Sequence, residues 1–329
     1  VLFDVEAYRQ GLREMFAAGI RDSEWSYPPT MLLIGAPLAL LPLPAAYLIW
    51  TVGTLLLLAL VLRSGGLPVA ACLLLLLSPA VIDNAYFGQN GALTAALLLG
   101  GLAMARDRPW LAGLLFGLLT IKPHLGILVP ICLMAAGLWR TMAWSALFGL
   151  LLAGAAAGLI GLSVWQQYLT VTQPMMQGLM EAPYGAGHHR NSVTVFMMAR
   201  GWGLDLPAAY AAQLLATSGC VLAVWRIWSG PALDPLVRAA ATVPLVLLAT
   251  PYAYSYDMVM LAAASLVLMI RAGAGWSLLL LPAWLWPAIS FAVTTLFGAV
   301  SPLLLASSAL GAWLALKSSA GQPDRQEAR

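Results

Sequence analysis

The sequence predicts an all-α, polytopic transmembrane protein of about ten or eleven hydrophobic crossings. Three observations carry that prediction. Of 329 residues, 61% are hydrophobic and only 9% are charged, whereas a soluble domain has roughly 25% charged residues. Mean hydropathy is +0.87. The Ala- and Leu-rich runs are also too long and too uniformly apolar for half-buried strands, and inside lipid a chain must satisfy its own backbone polar groups as helices. The net charge of +3 is too small to imply a nucleic-acid partner, and none is expected. Cys72, Cys132 and Cys220 each lie within an apolar run, where a thiol packs as a small hydrophobe. No disulfide, metal site or other cofactor is expected from them.

Crossing the hydrocarbon takes about 20 helical residues, fewer where protein covers the ends. By that measure the crossings fall near 44–62, 67–82, 89–105, 109–121, 124–138, 141–162, 207–228, 236–250, 257–271, 275–290 and 293–316. The 109–138 stretch reads either as two crossings or as one broken hairpin. The whole chain, 1–329, is expected to form a single integral membrane domain. Within it, 1–43 is a first outer loop with interfacial helices, 44–162 an N-terminal helix set and 163–206 a long outer loop. A C-terminal helix set (207–316) and a cytoplasmic tail (317–329) complete the chain.

Basic residues in short turns set orientation. Alternating through the crossings puts Arg63, Arg106, Arg108, Arg140, Arg226, Arg238, Arg271, Lys317, Arg325 and Arg329 on one side, which is therefore expected to be cytoplasmic. The other side receives Asp4, Glu6, Glu14, Asp22, Glu24, Asp83, Glu181, Asp205 and Asp257, together with the long segments. Elaborate outer segments and minimal inner turns imply work done on the outside. The same alternation puts residue 1 outside, although the chain opens Val-Leu-Phe-Asp-Val-Glu without a basic start or signal core. A transmembrane helix preceding it is expected.

Residues able to do chemistry gather in clusters on that outer face. Asp4, with Tyr8 and then Tyr27-Pro28-Pro29, is either a solvated interfacial acid or a general base for a substrate hydroxyl. Asp83 and Gly88-Gln89-Asn90 form a polar turn whose amides suit sugar hydroxyls, or an ordinary hairpin turn. Lys122-Pro123-His124 puts cations at an outer turn, against the charge rule; phosphate is a natural partner for such a Lys, and snorkelling is the alternative. His188-His189-Arg190-Asn191-Ser192 suits an anion or a plain solvated loop, and no accompanying ligand spacing makes it a zinc site. Pro251 through Asp257 carries three tyrosines suited to an aromatic belt, plus an acid entering an apolar helix. Asp257 either caps that helix or holds a substrate hydroxyl.

In order, Asp4 with Tyr8, Tyr27-Pro28-Pro29, Gly88-Gln89-Asn90, Lys122-Pro123, Asn191-Ser192 and Pro251 through Asp257 resemble glycosyltransferase family 87. Its best-known members are similar to polyprenol-phosphate-mannose-dependent α-mannosyltransferases. The resemblance spans residues 4–257 and implies a GT-C-like helical fold. It also implies a polyprenyl-phosphate-linked sugar donor, a glycolipid or glycan acceptor, and a setting among membrane lipids in a bacterial inner membrane, with the active face extracytoplasmic. In such enzymes the catalytic acid lies in the first outer loop, directly after the first transmembrane helix, where Asp4 stands. The implied roles are Asp4 as general base and Lys122, His124, His188, His189 and Arg190 at the donor phosphate. Tyr8, Tyr27, Asp83, Gln89, Asn90, Asn191 and Asp257 would hold the sugar and acceptor.

The competing class is a secondary transporter or lipid flippase, which places polar residues at the bilayer midplane on broken helices. The depth of Asp83, Lys122, His124 and Asp257 separates the two: rim for a transferase, midplane for a transporter. A scaffolding membrane protein would not need acids and bases converging from separate segments.

Overall fold

The computed structural model describes residues 3–16, 24–186, 189–231, 233–272 and 277–320. They are helical almost throughout, and among them the extended pairing is a single antiparallel bridge between Ser192 and Tyr254.

The helix starts follow from local sequence. Pro109 and Pro235 occupy first-turn positions, where a missing N–H costs nothing. Ser78, Thr194, Asp205 and Asp234 each accept a first-turn backbone N–H through their side chains, as N-caps do. Asp234 Oδ1 takes the Val237 N–H at 3.0 Å.

Burial sorts the helices into an inner and an outer layer. Gly91–Met104 is buried over almost its whole length, as is Pro235–Ala249, and Met258 through Leu268 is buried beside them. A helix apolar on every face belongs inside. Around this core, Leu43–Ser64, Trp139–Ile160 and Leu206–Ser229 expose large apolar side chains such as Leu56, Leu60, Leu150, Leu159, Leu214 and Leu222. Such surface is stable only against lipid.

By length and composition, these three helices are long and apolar enough to cross a membrane. Among the described residues the count is four if Val69–Leu76 and Pro79–Tyr86, bent by 57° at the break between them, form one span. They match the expected crossings at 44–62, 141–162, 207–228 and 67–82. Other expected crossings are shorter helices, Gly91–Met104 and Pro235–Ala249 among them. A helix enclosed by protein has its ends covered by neighbours, so it need not reach lipid length. The 109–138 stretch is broken: Pro109–Leu118 ends in short 3₁₀ turns, Leu119–Ile121 and Pro123–Gly126, before Val129–Ala135. The segment expected as a long outer loop, 163–206, is itself largely helical, through Ser163–Gln167, a π-turn at Tyr168–Thr172, Gln173–Glu181 and Val195–Gly201.

The two ends of the bundle differ chemically. At one end arginines satisfy carbonyls and a carboxylate: Arg271 donates to Gly65 O at 2.7 Å and pairs with Asp234 at 3.5 Å, and Arg238 donates to Pro231 O. The cavity described below lies at the other.

Helix Pro109–Leu118 packs on Trp139–Ile160 through Gly113 and Gly117, a small-xxx-small spacing that lets two backbones approach. A Cβ on Gly113 would lie 2.4 Å from Trp144 Cβ and 2.7 Å from its carbonyl carbon. Gly113→Ala is therefore expected to lower stability by about 1–3 kcal/mol, read as an earlier unfolding transition in detergent. Gly154→Ala, with open space around it, serves as the neutral control. An unchanged transition for Gly113→Ala contradicts the close approach.

Candidate active site

The site begins with a helix that is forced to stop. The residue before a proline is pushed out of the α-helical region, and Lys122 before Pro123 has φ −137° and ψ 73°. The backbone turns there, and Lys122 Nζ meets Asp257 Oδ1 at 2.6 Å, with side chains 6% and 0% exposed. Lys122 also stands over the Tyr256 ring, 4.6 Å from its centroid. The other oxygen of Asp257 accepts the Tyr254 N–H at 3.1 Å, closing the 3₁₀ turn Ser255–Met258. Lys122 and Asp257, expected at a phosphate and at a sugar hydroxyl respectively, are here each other's counter-ion.

Other contacts fix the same turn. Ser192 bridges to Tyr254, and Val193 N–H donates to Ala253 O at 3.0 Å. Ser255 Oγ donates to Asp83 Oδ2 at 3.0 Å, so Asp83 ties the end of Pro79–Tyr86 to the turn. Asn84 Oδ1 accepts the Gly91 N–H at 2.6 Å. Gly91 itself sits beneath the Tyr256 carbonyl, where a Cβ would lie 2.0 Å from that oxygen.

These elements enclose a cavity of about 680 Å³, within the range of small-molecule sites. Tyr27, Gln89, Lys122, His124, His189, Asn191 and Asp257 line it, so seven of the expected site residues converge from distant parts of the chain. Tyr27 Oη donates to Gln89 Oε1 at 3.3 Å. His124 is half-buried, with the Tyr252 ring edge-on at 5.5 Å.

The remaining expected residues stand elsewhere. Asp4 is exposed and caps helix Val5–Phe16, its Oδ1 accepting the Ala7 N–H at 3.1 Å. The adjoining Phe3 is buried against Leu32 and the cavity-lining Tyr168, which puts Asp4 near that edge. Tyr8 is half-buried on the same helix. Arg190 is exposed, and Asn90 is buried behind the wall with Oδ1 unpartnered. Neither these four nor Asp83 is among the cavity-lining residues. His188 lies outside the described residues.

The cavity also uses residues that sequence reasoning did not assign a role. Glu24 lines it and is ion-paired to Arg9 of the first helix. Tyr168 and Gln173, joined by a 2.6 Å hydrogen bond, come from the 163–206 segment, as does Gln177. The signal for these was a run of amides between apolar stretches, uninformative without the fold. Tyr252, Tyr254 and Tyr256 form an aromatic wall, Tyr252 edge-on to Tyr254 and Tyr254 tilted against Tyr256, with centroid spacings of 5.4 and 5.6 Å. Burial, and then the nearby Asp257 charge, pushes the Tyr27 and Tyr256 hydroxyls well above the usual tyrosine range. For Tyr254 the causes are burial and then Tyr252. Such phenols stay neutral and can donate hydrogen bonds to a polar ligand.

A lipid-facing helical bundle with a cavity at one end, lined by neutral phenols, amides and a few charged groups, suits a membrane protein that handles a polar substrate. A sequence model of glycosyltransferase family 87 matches residues 25–251, and the chain belongs to that family: it is a membrane glycosyltransferase. Comparison with curated proteins finds no match, and comparison with solved structures finds none. The matched stretch takes in the cavity wall from Ser26 to Pro251 and stops short of the tyrosine turn.

Gly91→Ala is expected to reduce sugar transfer by about ten- to a hundred-fold, because an added methyl displaces the Tyr256 carbonyl and with it the wall holding the substrate. Gly53→Ala, in open space, should leave the rate unchanged. A Gly91→Ala protein of full activity contradicts the tight seat of that turn.

Proposed function

We propose that the protein transfers a sugar, with mannose the expected one, from a polyprenyl-phosphate donor to a hydroxyl of a glycolipid or glycan acceptor, within the cavity described above. The setting of this reading is a GT-C-type fold in a bacterial inner membrane, with the cavity on the extracytoplasmic side. The observation that carries it is the position of the polar residues. Lys122 ends its helix and Asp257 begins one, at the bundle end opposite Arg108 and Arg271. A rim site of this kind suits a lipid-borne sugar whose head group lies at the interface, and differs from the midplane site of a secondary transporter.

In the proposed reaction the acceptor oxygen attacks the sugar C1, the C1–O bond to phosphate breaks, and one displacement inverts the anomeric centre. Asp4 takes the acceptor proton as that bond forms. Its place at the head of the first helix supports the role, since the next turns of that helix carry Tyr8 and the Arg9 that pairs with Glu24 on the cavity wall. The phosphate leaves with its charge facing Lys122 and His124. An ammonium has three donors, so Lys122 keeps two for phosphate after Asp257 takes one. Gln89 and Asn191 on the wall, with the neutral tyrosines, orient the hydroxyls.

The experiment is transfer from radiolabelled polyprenyl-phosphate-mannose to a membrane lipid extract by full-length protein, beside Asp4→Asn and Glu24→Gln. Asp4→Asn is expected to lower turnover by at least about a hundred-fold with donor binding retained, and Glu24→Gln to have a smaller effect. Unchanged turnover in Asp4→Asn excludes it as the base, and loss confined to Glu24→Gln moves that role to Glu24.

A further inference from the structure

The arginines at the bundle end away from the cavity are of two kinds. Arg63, Arg238 and Arg271 are used by the fold, donating to the carbonyls of Leu67, Pro231 and Gly65. Arg106, Arg108 and Arg140 are exposed, and among the described residues no hydrogen bond or ion pair engages their guanidinium groups. Thr141 Oγ1 donates to Ala105 O at 2.5 Å, which holds the start of Trp139–Ile160 beside the Arg106-Asp107-Arg108 turn. The three cations thus share one small area, with the exposed Asp107 between two of them.

Beside them runs an open groove of about 400 Å³, lined by Pro109, Trp110, Arg140, Trp144 and Phe148. It lies between helices Pro109–Leu118 and Trp139–Ile160, whose close approach at Gly113 holds both walls in place. The lining can be reached from outside: Trp110 is 54% and Trp144 40% exposed, and Arg140 is exposed as well. Arg140, Trp144 and Phe148 are spaced four apart, which puts them on one stripe of the helix, with about 12 Å from the charge to the last ring. The Trp144 and Phe148 rings are nearly parallel, planes 25° and centroids 5.7 Å apart, and form a flat apolar floor. Trp110 supplies the facing wall.

The stripe starts at the first turn of its helix and runs inward along the bundle. Polarity therefore passes from a cation at the bundle end to hydrocarbon further in. A phospholipid entering from the membrane surface has the same order, phosphate first and acyl chain deeper. A lone interfacial Trp or Arg is ordinary in a membrane protein; here they converge from two helices on one groove. A zwitterionic head group brings its own cation, which the unpaired guanidinium groups oppose, whereas a head group of net negative charge meets only attraction. We infer that this groove binds one anionic phospholipid, its phosphate on Arg140 and an acyl chain along Trp144 and Phe148. The site stands at the opposite end from the cavity and does not depend on the sugar chemistry proposed above. A lipid seated there ties together two helices, the first of which leads on to Lys122.

The test counts lipids on purified full-length protein by native mass spectrometry, during titration with phosphatidylglycerol or phosphatidylcholine of matched acyl chains. Wild type is expected to hold one phosphatidylglycerol at least about five-fold more tightly than phosphatidylcholine. Arg140→Gln should abolish that preference and Arg140→Lys should keep most of it. Trp110→Ala should weaken both lipids and leave the preference in place. Arg226→Gln removes an exposed arginine off the groove, in the last turn of Leu206–Ser229, and should change nothing. Unfolding transitions in detergent that match wild type show that the variants fold. Equal affinity for the two lipids in wild type, or a preference that survives Arg140→Gln, overturns the inference. Equal loss in Arg140→Gln and Arg226→Gln also overturns it, since that marks diffuse surface charge. Displacement of the lipid by millimolar inorganic phosphate overturns it in favour of a free-anion site. A dimer that excludes lipid and dissociates in Trp110→Ala assigns the groove to a second copy of the chain instead.

Discussion

A lysine and an aspartate 135 residues apart in the chain meet at 2.6 Å in a place that water hardly reaches, and the cavity is assembled around that meeting. Burying two charges is costly, and an ion pair offsets the cost only when its geometry is good and the remaining polar atoms are satisfied. Here Asp257 divides its oxygens between Lys122 and the Tyr254 N–H, and the ammonium lies over the Tyr256 ring. One contact therefore fixes the end of a broken helix from the first half of the chain and the tyrosine turn from the second. Gly91, the Asp83–Ser255 bond and the Ser192–Tyr254 bridge then have a fixed surface to pack against.

The rest of the bundle can be understood as the frame for that arrangement. Largely apolar helices fill the interior, and the longest helices expose leucines suited to lipid. Polar work is confined to one end, and arginine–carbonyl bonds close the other. The lipid-borne donor of the proposed function would use this division, its tail against the apolar flank and its sugar in the cavity.

Much of this was legible in the sequence, for reasons that are local. Composition fixed the helical membrane class, and the apolar runs at 44–62, 141–162 and 207–228 fall on the helices Leu43–Ser64, Trp139–Ile160 and Leu206–Ser229. Lys122 stood out because its charge opposed the orientation rule, and Gly88-Gln89-Asn90 because amides in a polar turn suit sugar hydroxyls. What the sequence hid was long-range or cooperative. Nothing near Lys122 announces Asp257 as its partner, so each was read as an independent ligand group. The 163–206 segment lacks the uniform apolarity of a crossing and read as loop, yet it folds as short helices that pack partly buried residues such as Val164, Trp165 and Met180 on Phe3 and Phe196. Glu24 was one acid among many until the fold put it on the cavity wall against Arg9. Arg190 illustrates the converse, since a cation beside two histidines invites an anion-site reading while its side chain is exposed and off the cavity wall.

The most direct measurement of the central claim is a double-mutant cycle on the ion pair, with Lys122→Met, Asp257→Asn and the double variant unfolded in detergent. Each single change is expected to cost about 3–5 kcal/mol, since it leaves a buried charge uncompensated, and the double variant to cost much less than the sum. Strictly additive losses, or singles indistinguishable from wild type, would show that the pair does not assemble the cavity.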